Sequence, residues 1–256
     1  MKIISIDVGI KNLAYCLLDL QQHANTSSSS SSALNIIKWD SINLCEKEGK
    51  GIIKNVCHKN DCKKKAKYYF YIDAENAELD HKMYICSQHA KKVENKQEIV
   101  EEDIEKIKKE KSANKMDLVS IGVAIKKHFD THFSADDNIN NINHIVIENQ
   151  ISPIATRMKT IQGMIMQYFI MKGITSITFA SAINKLKAFT IDKKTSYKDR
   201  KKLGIEVTKK ILTLLPLLNT KTDYFINHQK KDDLADSFLQ GVWYLQSIKK
   251  LDLIKI

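Results

Sequence analysis

The sequence predicts an α/β fold: a mixed sheet of five strands with helices on both faces, interrupted by an inserted module. Three observations carry this. Residues 1–44 read as three consecutive strands, strand and helix patterns alternate after residue 92, and residues 45–92 follow neither period. An antiparallel start followed by alternation gives a mixed sheet, so the predicted organisation is one domain over residues 1–44 and 93–256 with residues 45–92 inserted.

In Lys2–Asp7, Ile4 and Ile6 share one face while Ser5 and Asp7 share the other, which is strand periodicity. Gly9 permits a tight turn into a second strand at Leu13–Leu18, making a hairpin. Gln21–Ser32, with six consecutive Ser, reads as a polar loop before a third strand at Leu34–Ile42. Helical spacing runs over Lys96–Phe133 with a break near Ser112–Asn114, and its first half is charged throughout. A short buried strand follows at His144–Glu148, then a helix at Arg157–Lys172 ended by Gly173, a strand at Ile174–Ala180 and a short helix at Ala182–Phe189. Thr190–Leu203 reads as a basic loop, and helices at Gly204–Leu215, stopped by Pro216, and Asp232–Lys250 complete the order.

Composition narrows the function classes. With 43% hydrophobic and 28% charged residues in 256, the chain is long enough for a real core, and neither a fibrous nor a disordered class fits. No apolar run is long enough to span a membrane, and the N-terminus opens on a strand pattern instead of a secretory signal, which predicts an intracellular protein with no membrane partner. Cytoplasm, nucleus and mitochondrion are not distinguished by these features. Five unevenly spaced Cys point to a reducing compartment and to metal ligation. The net charge is +11, and residues 181–256 hold 16 Lys+Arg against 8 Asp+Glu, a distribution suited to nucleic acid. A solvated Lys-rich surface fits the same letters, since Arg157 and Arg200 are the only Arg.

The acidic positions are more telling. Asp7 closes the first strand, and Glu148 closes the fourth on the face it shares with Val146. If those strands are neighbours, about 4.8 Å apart, the carboxylates face each other. Asp233 and Asp236 project from one face of the last helix, with Asp232 beside them. Like charges brought together repel, and a divalent cation resolves the conflict. Hard oxygen donors without His or Cys favour Mg²⁺ or Mn²⁺, and a pair of such ions can clamp the attacking and leaving oxygens of a phosphodiester. Asp232 or Asp233 can equally serve as a helix cap, whereas carboxylates that end hydrophobic strands need a partner.

Asp7-Val8-Gly9-Ile10-Lys11-Asn12-Leu13-Ala14-Tyr15, Ile147-Glu148-Asn149-Gln150 and Lys231-Asp232-Asp233-Leu234-Ala235-Asp236 together resemble the RuvC-type Holliday junction resolvases of the RNase H-like superfamily, in the branch found in fungal mitochondria, poxviruses and other large DNA viruses. The resemblance implies an RNase H-like fold and a homodimer that resolves four-way DNA junctions by paired, symmetric, Mg²⁺-dependent nicks. It makes Asp7, Glu148, Asp233 and Asp236 the metal ligands, with Asp232 a spare. Lys185 stands where relatives carry a Lys near the scissile phosphate, although an ordinary exposed helix Lys reads the same way. The Arg157–Lys172 helix corresponds to the relatives' dimerisation helix. Lys11, Asn12, Arg157, Lys230 and Lys231, beside these motifs, are candidate DNA contacts.

In the insert, Cys57-x4-Cys62, then 23 residues, then Cys86-x2-His89 has the spacing of a structural Zn²⁺ site. His58 or His81 can substitute for His89, and Cys45 can join, while Cys16 belongs to a core strand. Lys63, Lys64, Lys65 and Lys67 beside Tyr68, Tyr69, Phe70 and Tyr71 suggest DNA contact, or a small hydrophobic core under a solvated Lys run. Two rival functions stay open. One is another RNase H-like nuclease acting on RNA–DNA hybrids or flaps, and the other is a non-catalytic zinc-containing DNA-binding protein.

Overall fold

The computed structural model describes residues 1–22, 32–45, 56–59, 61–71, 82–94, 104–106, 115–133, 141–150, 156–187 and 196–252. Contacts divide the chain into two compact units, Met1–Cys45 with Ser112–Ile256, and Glu46–Lys111.

The larger unit is built on strands β1 (Lys2–Asp7), β2 (Asn12–Gln22) and β3 (Ser32–Asn43). The smaller unit follows, with β4 (Tyr68–Tyr71), β5 (Lys82–Ile85), helix α1 (Ser87–Glu94) and β6 (Glu105–Lys106). The larger unit resumes with α2 (Leu118–His132), β7 (Ile142–Glu148), α3 (Thr156–Met171), β8 (Ile177–Ala180), a 3-10 turn at Ala182–Leu186 and α4 (Tyr197–Leu214). A 3-10 segment at Pro216–Lys221, then α5 (Thr222–Asn227) and α6 (Lys231–Ser247), complete it.

The five strands of the larger unit lie in the order β3-β2-β1-β7-β8. The β1–β2 and β2–β3 pairs are antiparallel, and β1–β7 and β7–β8 are parallel. This is the predicted mixed sheet. Strand alternation sends successive side chains to opposite faces. Ile4, Ile6, Tyr15, Ile145 and Ile147 pack with Ile121, Ile125 and Phe129 of α2 and Ile165 and Phe169 of α3. On the other face, Ile3, Cys16, Leu18, Trp39 and Val146 pack with Val207 and Ile211 of α4 and Phe238, Leu239 and Val242 of α6. Asp7, in phase with Ile3, and Glu148, in phase with Val146, therefore fall on the α6 face.

Three contacts seat α6 there. The Trp39 indole N–H donates to the Leu234 carbonyl at 3.0 Å. The Gln240 amide nitrogen reaches the Ile6 carbonyl at 3.1 Å and Ser5 Oγ at 3.2 Å. His144 stacks on Tyr244 with ring centroids 4.4 Å apart.

Several local expectations change. Glu105–Lys106, expected in a charged helix, pairs as a strand with Tyr68 and Tyr69, because docking on the edge of β4 outweighs weak intrinsic preference. The basic stretch ending at Leu203 is already helical from Tyr197. Ser196 and Asp199 cap it, the Asp199 N–H donating to Ser196 Oγ at 3.2 Å and Ser196 Oγ to Asp199 Oδ2 at 2.6 Å. The helix at Ala182 is a 3-10 turn ending at Leu186, and α5 was not anticipated. The insert, expected to lack periodic structure, contains the three-stranded sheet β5-β4-β6 and α1. The Ser run lies largely outside the described residues. Among those described, no helix is long and apolar enough to cross a membrane.

Candidate active site

The β1–β7 register pairs Ile6 with Ile147, so Asp7 and Glu148 follow side by side at the ends of neighbouring parallel strands. Gly9 turns the chain away from β1 so tightly that a Cβ there would meet the Asn12 carbonyl oxygen at 2.0 Å. Beyond β8, the 3-10 turn brings Lys185 back over the pair. Its ammonium lies 2.6 Å from Asp7 Oδ1, 3.1 Å from Glu148 Oε1 and 3.7 Å from Asp236 Oδ2, with the side chain only 5% exposed. The first turn of α6 supplies Asp232 and Asp233, and the second supplies Asp236. Lys201 of α4 pairs with Asp232 and lies 3.4 Å from Asp233 Oδ1, and Lys230 lies 3.7 Å from Asp233 Oδ2.

These groups line one cavity of about 1050 Å³, together with Lys11, Asn12, Gln150, Tyr197 and Arg200. The structure places Asp7, Glu148, Asp232, Asp233 and Asp236 on the wall of this one cavity. Of the candidate DNA contacts, Lys11, Asn12 and Lys230 line the cavity. Arg157 donates instead to the Met116 carbonyl, and Lys231 to the Ile226 carbonyl at 2.8 Å. Lys185 is buried, unlike an exposed helix Lys. Sequence reasoning missed Lys201, Arg200 and Tyr197 because they lie in the stretch read as a loop. The Ser196/Asp199 capping pair was the signal that could have found them.

Burial raises three of these carboxyls. Burial, reinforced by Asp7, pushes the Glu148 carboxyl up to about 7. Burial lifts Asp236 to about 6 against the opposing charge of Lys185. Burial also raises Asp233, with Asp232 adding to the effect. Burial acts on Asp232 as well, but its hydrogen bond to Lys201 and the charge of that Lys outweigh it and hold the carboxyl low. Burial disfavours a charged Lys185, yet Asp7, Asp236 and Glu148 raise its pKa and keep it an ammonium. The ammonium thus stands as a cation among hard oxygen donors, the donor set suited to Mg²⁺. Gln150 orients the pair by donating from Nε2 to Glu148 Oε2 at 2.9 Å.

In the smaller unit, the donor atoms of Cys57, Cys62, Cys86 and His89 lie within 4.8 Å of one another, a group that could hold a metal ion. His89 Nδ1 is 3.1 Å from Cys57 Sγ and 3.6 Å from Cys86 Sγ, and the Cys62 and Cys86 sulfurs are 4.0 Å apart. Those spacings approach the edges of a tetrahedron with metal–sulfur bonds of about 2.3 Å. The His89 and Gln88 backbone amides lower the Cys86 thiol against the effect of burial, toward the thiolate that a metal needs. His58 packs against Tyr84 instead, Cys45 is outside the group, and His81 lies outside the described residues.

A family model described as mitochondrial resolvase Ydc2 / RNA splicing MRS1 matches residues 3–150, and one described as poxvirus A22 protein matches residues 112–250. Uncharacterized protein L451 of Acanthamoeba polyphaga mimivirus is 27% identical over 329 residues, covering 97% of this chain and 75% of that protein. Among solved structures, the yeast mitochondrial Holliday junction resolvase Ydc2 aligns over 97% of this chain and 80% of its own, at 16% identity and a TM-score of 0.47. The fowlpox virus resolvase, solved with substrate Holliday junction DNA, aligns over 97% and 99% at 17% identity and a TM-score of 0.44. Each family model spans more than half of the sequence, and the two together run from β1 through α6: the chain belongs to the Ydc2/poxvirus A22 family of Holliday junction resolvases.

Proposed function

We propose that the protein is a metal-dependent endonuclease that resolves four-way DNA junctions by paired, symmetric nicks. The observation that carries this is the meeting of Asp7, Glu148 and Asp236 around Lys185, with Asp233 alongside, in an open cavity bordered by Lys11, Arg200, Lys201 and Lys230. Asp7, Glu148, Asp233 and Asp236 would hold two Mg²⁺ or Mn²⁺ ions, and Asp232, already neutralised by Lys201, stands second to Asp233. Bound there, the ions supply Lewis-acid activation of water and neutralise charge on the phosphodiester.

The chain's own groups do the rest. Lys185 offers a fixed positive charge where the pentavalent phosphate becomes more negative. Lys11, Asn12, Lys230 and Arg200 hold the strand by its phosphates, which position the substrate without reading its sequence. Specificity then comes from branch geometry: a homodimer presents two such centres to strands of like polarity. The α2–α3 surface, where Val119 and Val123 are exposed on α2, is the dimer face in this reading. The Cys57, Cys62, Cys86 and His89 group takes structural Zn²⁺, making the smaller unit a zinc-binding module inserted in the nuclease domain.

The test is a nick map on a synthetic four-way junction in Mg²⁺, set beside a flap and an RNA–DNA hybrid. Paired cuts across the crossover, abolished in Asp7→Asn while junction binding is kept, are expected. Cleavage of the hybrid alone would transfer the protein to the other RNase H-like nucleases. Binding with no metal-dependent cleavage would favour the non-catalytic reading.

A further inference from the structure

Among the described residues of the smaller unit, one side of β4 and β5 faces away from the buried cluster and the metal group. Along Lys65–Phe70, Ala66 and Phe70 are buried, Lys65 and Lys67 are exposed, and Tyr68 and Tyr69 are both half-buried but differ in what they face. Ala66, Tyr68 and Phe70 turn toward Cys57, Ile85 and Cys86, whereas Lys65, Lys67 and Tyr69 take the other side. Tyr69 pairs with Tyr84 in the β4–β5 register, and their rings share that outer side with centroids 6.1 Å apart. His58 stands edge-on to Tyr84 at 5.4 Å. Its backbone N–H donates to the Tyr84 carbonyl at 2.8 Å, which fixes the third ring to the other two. Cys57, one residue earlier, turns inward to the metal group.

Lys residues outnumber acidic ones around β4, where Glu105 of β6 is the register partner of Tyr69. Between residues 56 and 71 the acidic residue is Asp61, against Lys59, Lys63, Lys64, Lys65 and Lys67, and all five Lys side chains are exposed. Tyr69, Tyr84 and His58 thus stand outside the described buried cluster of this unit, next to cations.

We propose that this outer face binds single-stranded nucleic acid, with Tyr69 and Tyr84 stacking on unpaired bases, His58 extending the platform, and Lys65 and Lys67 neutralising neighbouring phosphates. Aromatic rings need a free base face, which a duplex hides, and Lys lacks the planar fork that reads base edges, so the site selects single strands without selecting sequence. The proposal rests on the nucleic-acid reading above, and not on cleavage.

The experiment uses the full chain with its zinc content verified, without added Mg²⁺. Fluorescence anisotropy follows binding to labelled oligo-dT, oligo-U and a blunt duplex. Replacing both Tyr69 and Tyr84 by Ala should weaken single-strand binding by about tenfold or more and leave duplex binding within about twofold. The double Phe variant should bind as the parent does. Lys65→Ala with Lys67→Ala should flatten the salt dependence of single-strand binding. The stronger of oligo-dT and oligo-U identifies whether the strand is DNA or RNA. Unchanged single-strand affinity in the zinc-loaded double Ala variant, or an equal loss on duplex, overturns the proposal. Junction nicking in Mg²⁺, read separately on the same variant, reports on the nuclease assignment alone.

Discussion

Among the described residues, Lys185 lies within ion-pairing distance of more carboxylates than any other cation. Its ammonium reaches three carboxylates while the side chain is 5% exposed, and removing it strands those charges in a poorly solvated site. Lys185→Met should destabilise the metal-free chain by about 3–5 kcal/mol, the usual cost of leaving one side of a buried ion cluster unpaired. Added Mg²⁺ should recover much of that loss in urea denaturation while cleavage stays impaired. A pH dependence follows from the same cluster. Glu148 at about 7 and Asp236 at about 6 lie above their ordinary values of 4.5 and 3.8, so the folded state holds these protons more tightly than the unfolded one. Their contribution to stability is complete below about pH 4 and is lost as pH rises through about 6 to 7. The urea midpoint of the metal-free chain should therefore lose ground over that window relative to Glu148→Gln, and Mg²⁺ should oppose the loss most at the alkaline end. At this scale Asp7 and Glu148 were legible because each ends a hydrophobic strand, and Asp233 and Asp236 because their spacing puts them on one helix face. Lys185 was legible only as a basic residue after the last strand.

At the scale of elements, the seating of α6 on the sheet decides whether the two halves of the acidic cluster meet. Helix and sheet approach closely at Gly241, where a Cβ would come within 2.6 Å of Leu18 Cδ1 and 3.1 Å of Ser5 Cβ. The Leu18 methyl can move, but Ser5 is anchored in a strand paired on both sides. Gly241→Ala should cost about 1–3 kcal/mol in denaturant unfolding. It should also lower cleavage at saturating Mg²⁺, because the displaced helix carries Asp233 and Asp236. Strands were the most readable elements, since alternation separates Ile4 and Ile6 from Ser5 and Asp7 within a few residues. The N-terminal turn of α4 was not, because Tyr197–Leu203 is polar on every side and hides the helical period under its Lys residues. β6 was unreadable for a different reason: two charged residues become a strand only because β4 offers them an edge.

For the whole molecule, the division into two units predicts separate responses to metal. Among the described residues of the smaller unit, the buried cluster is Cys57, Phe70, Ile85, Cys86 and Ala90, so two members of the Cys/His group are part of the packing and losing a bound metal disturbs it. Chelation should open Glu46–Lys111 to trypsin while the melting of the larger unit stays put, and Zn²⁺ should restore protection; fragment mapping by mass spectrometry reads both. The sequence alone determined the mixed sheet, the acidic residues that end its central strands, and the Cys/His spacing of the insert, because strand period and ligand spacing are local properties of the chain. Only the tertiary structure decided that Lys185 lies between Asp7 and Glu148, that Lys201 crosses from α4 to Asp232 and Asp233, and that Tyr69 turns outward while Tyr68 turns in. Those placements depend on packing between segments far apart in sequence, where the charge of a side chain says nothing about which partner the fold will bring to it.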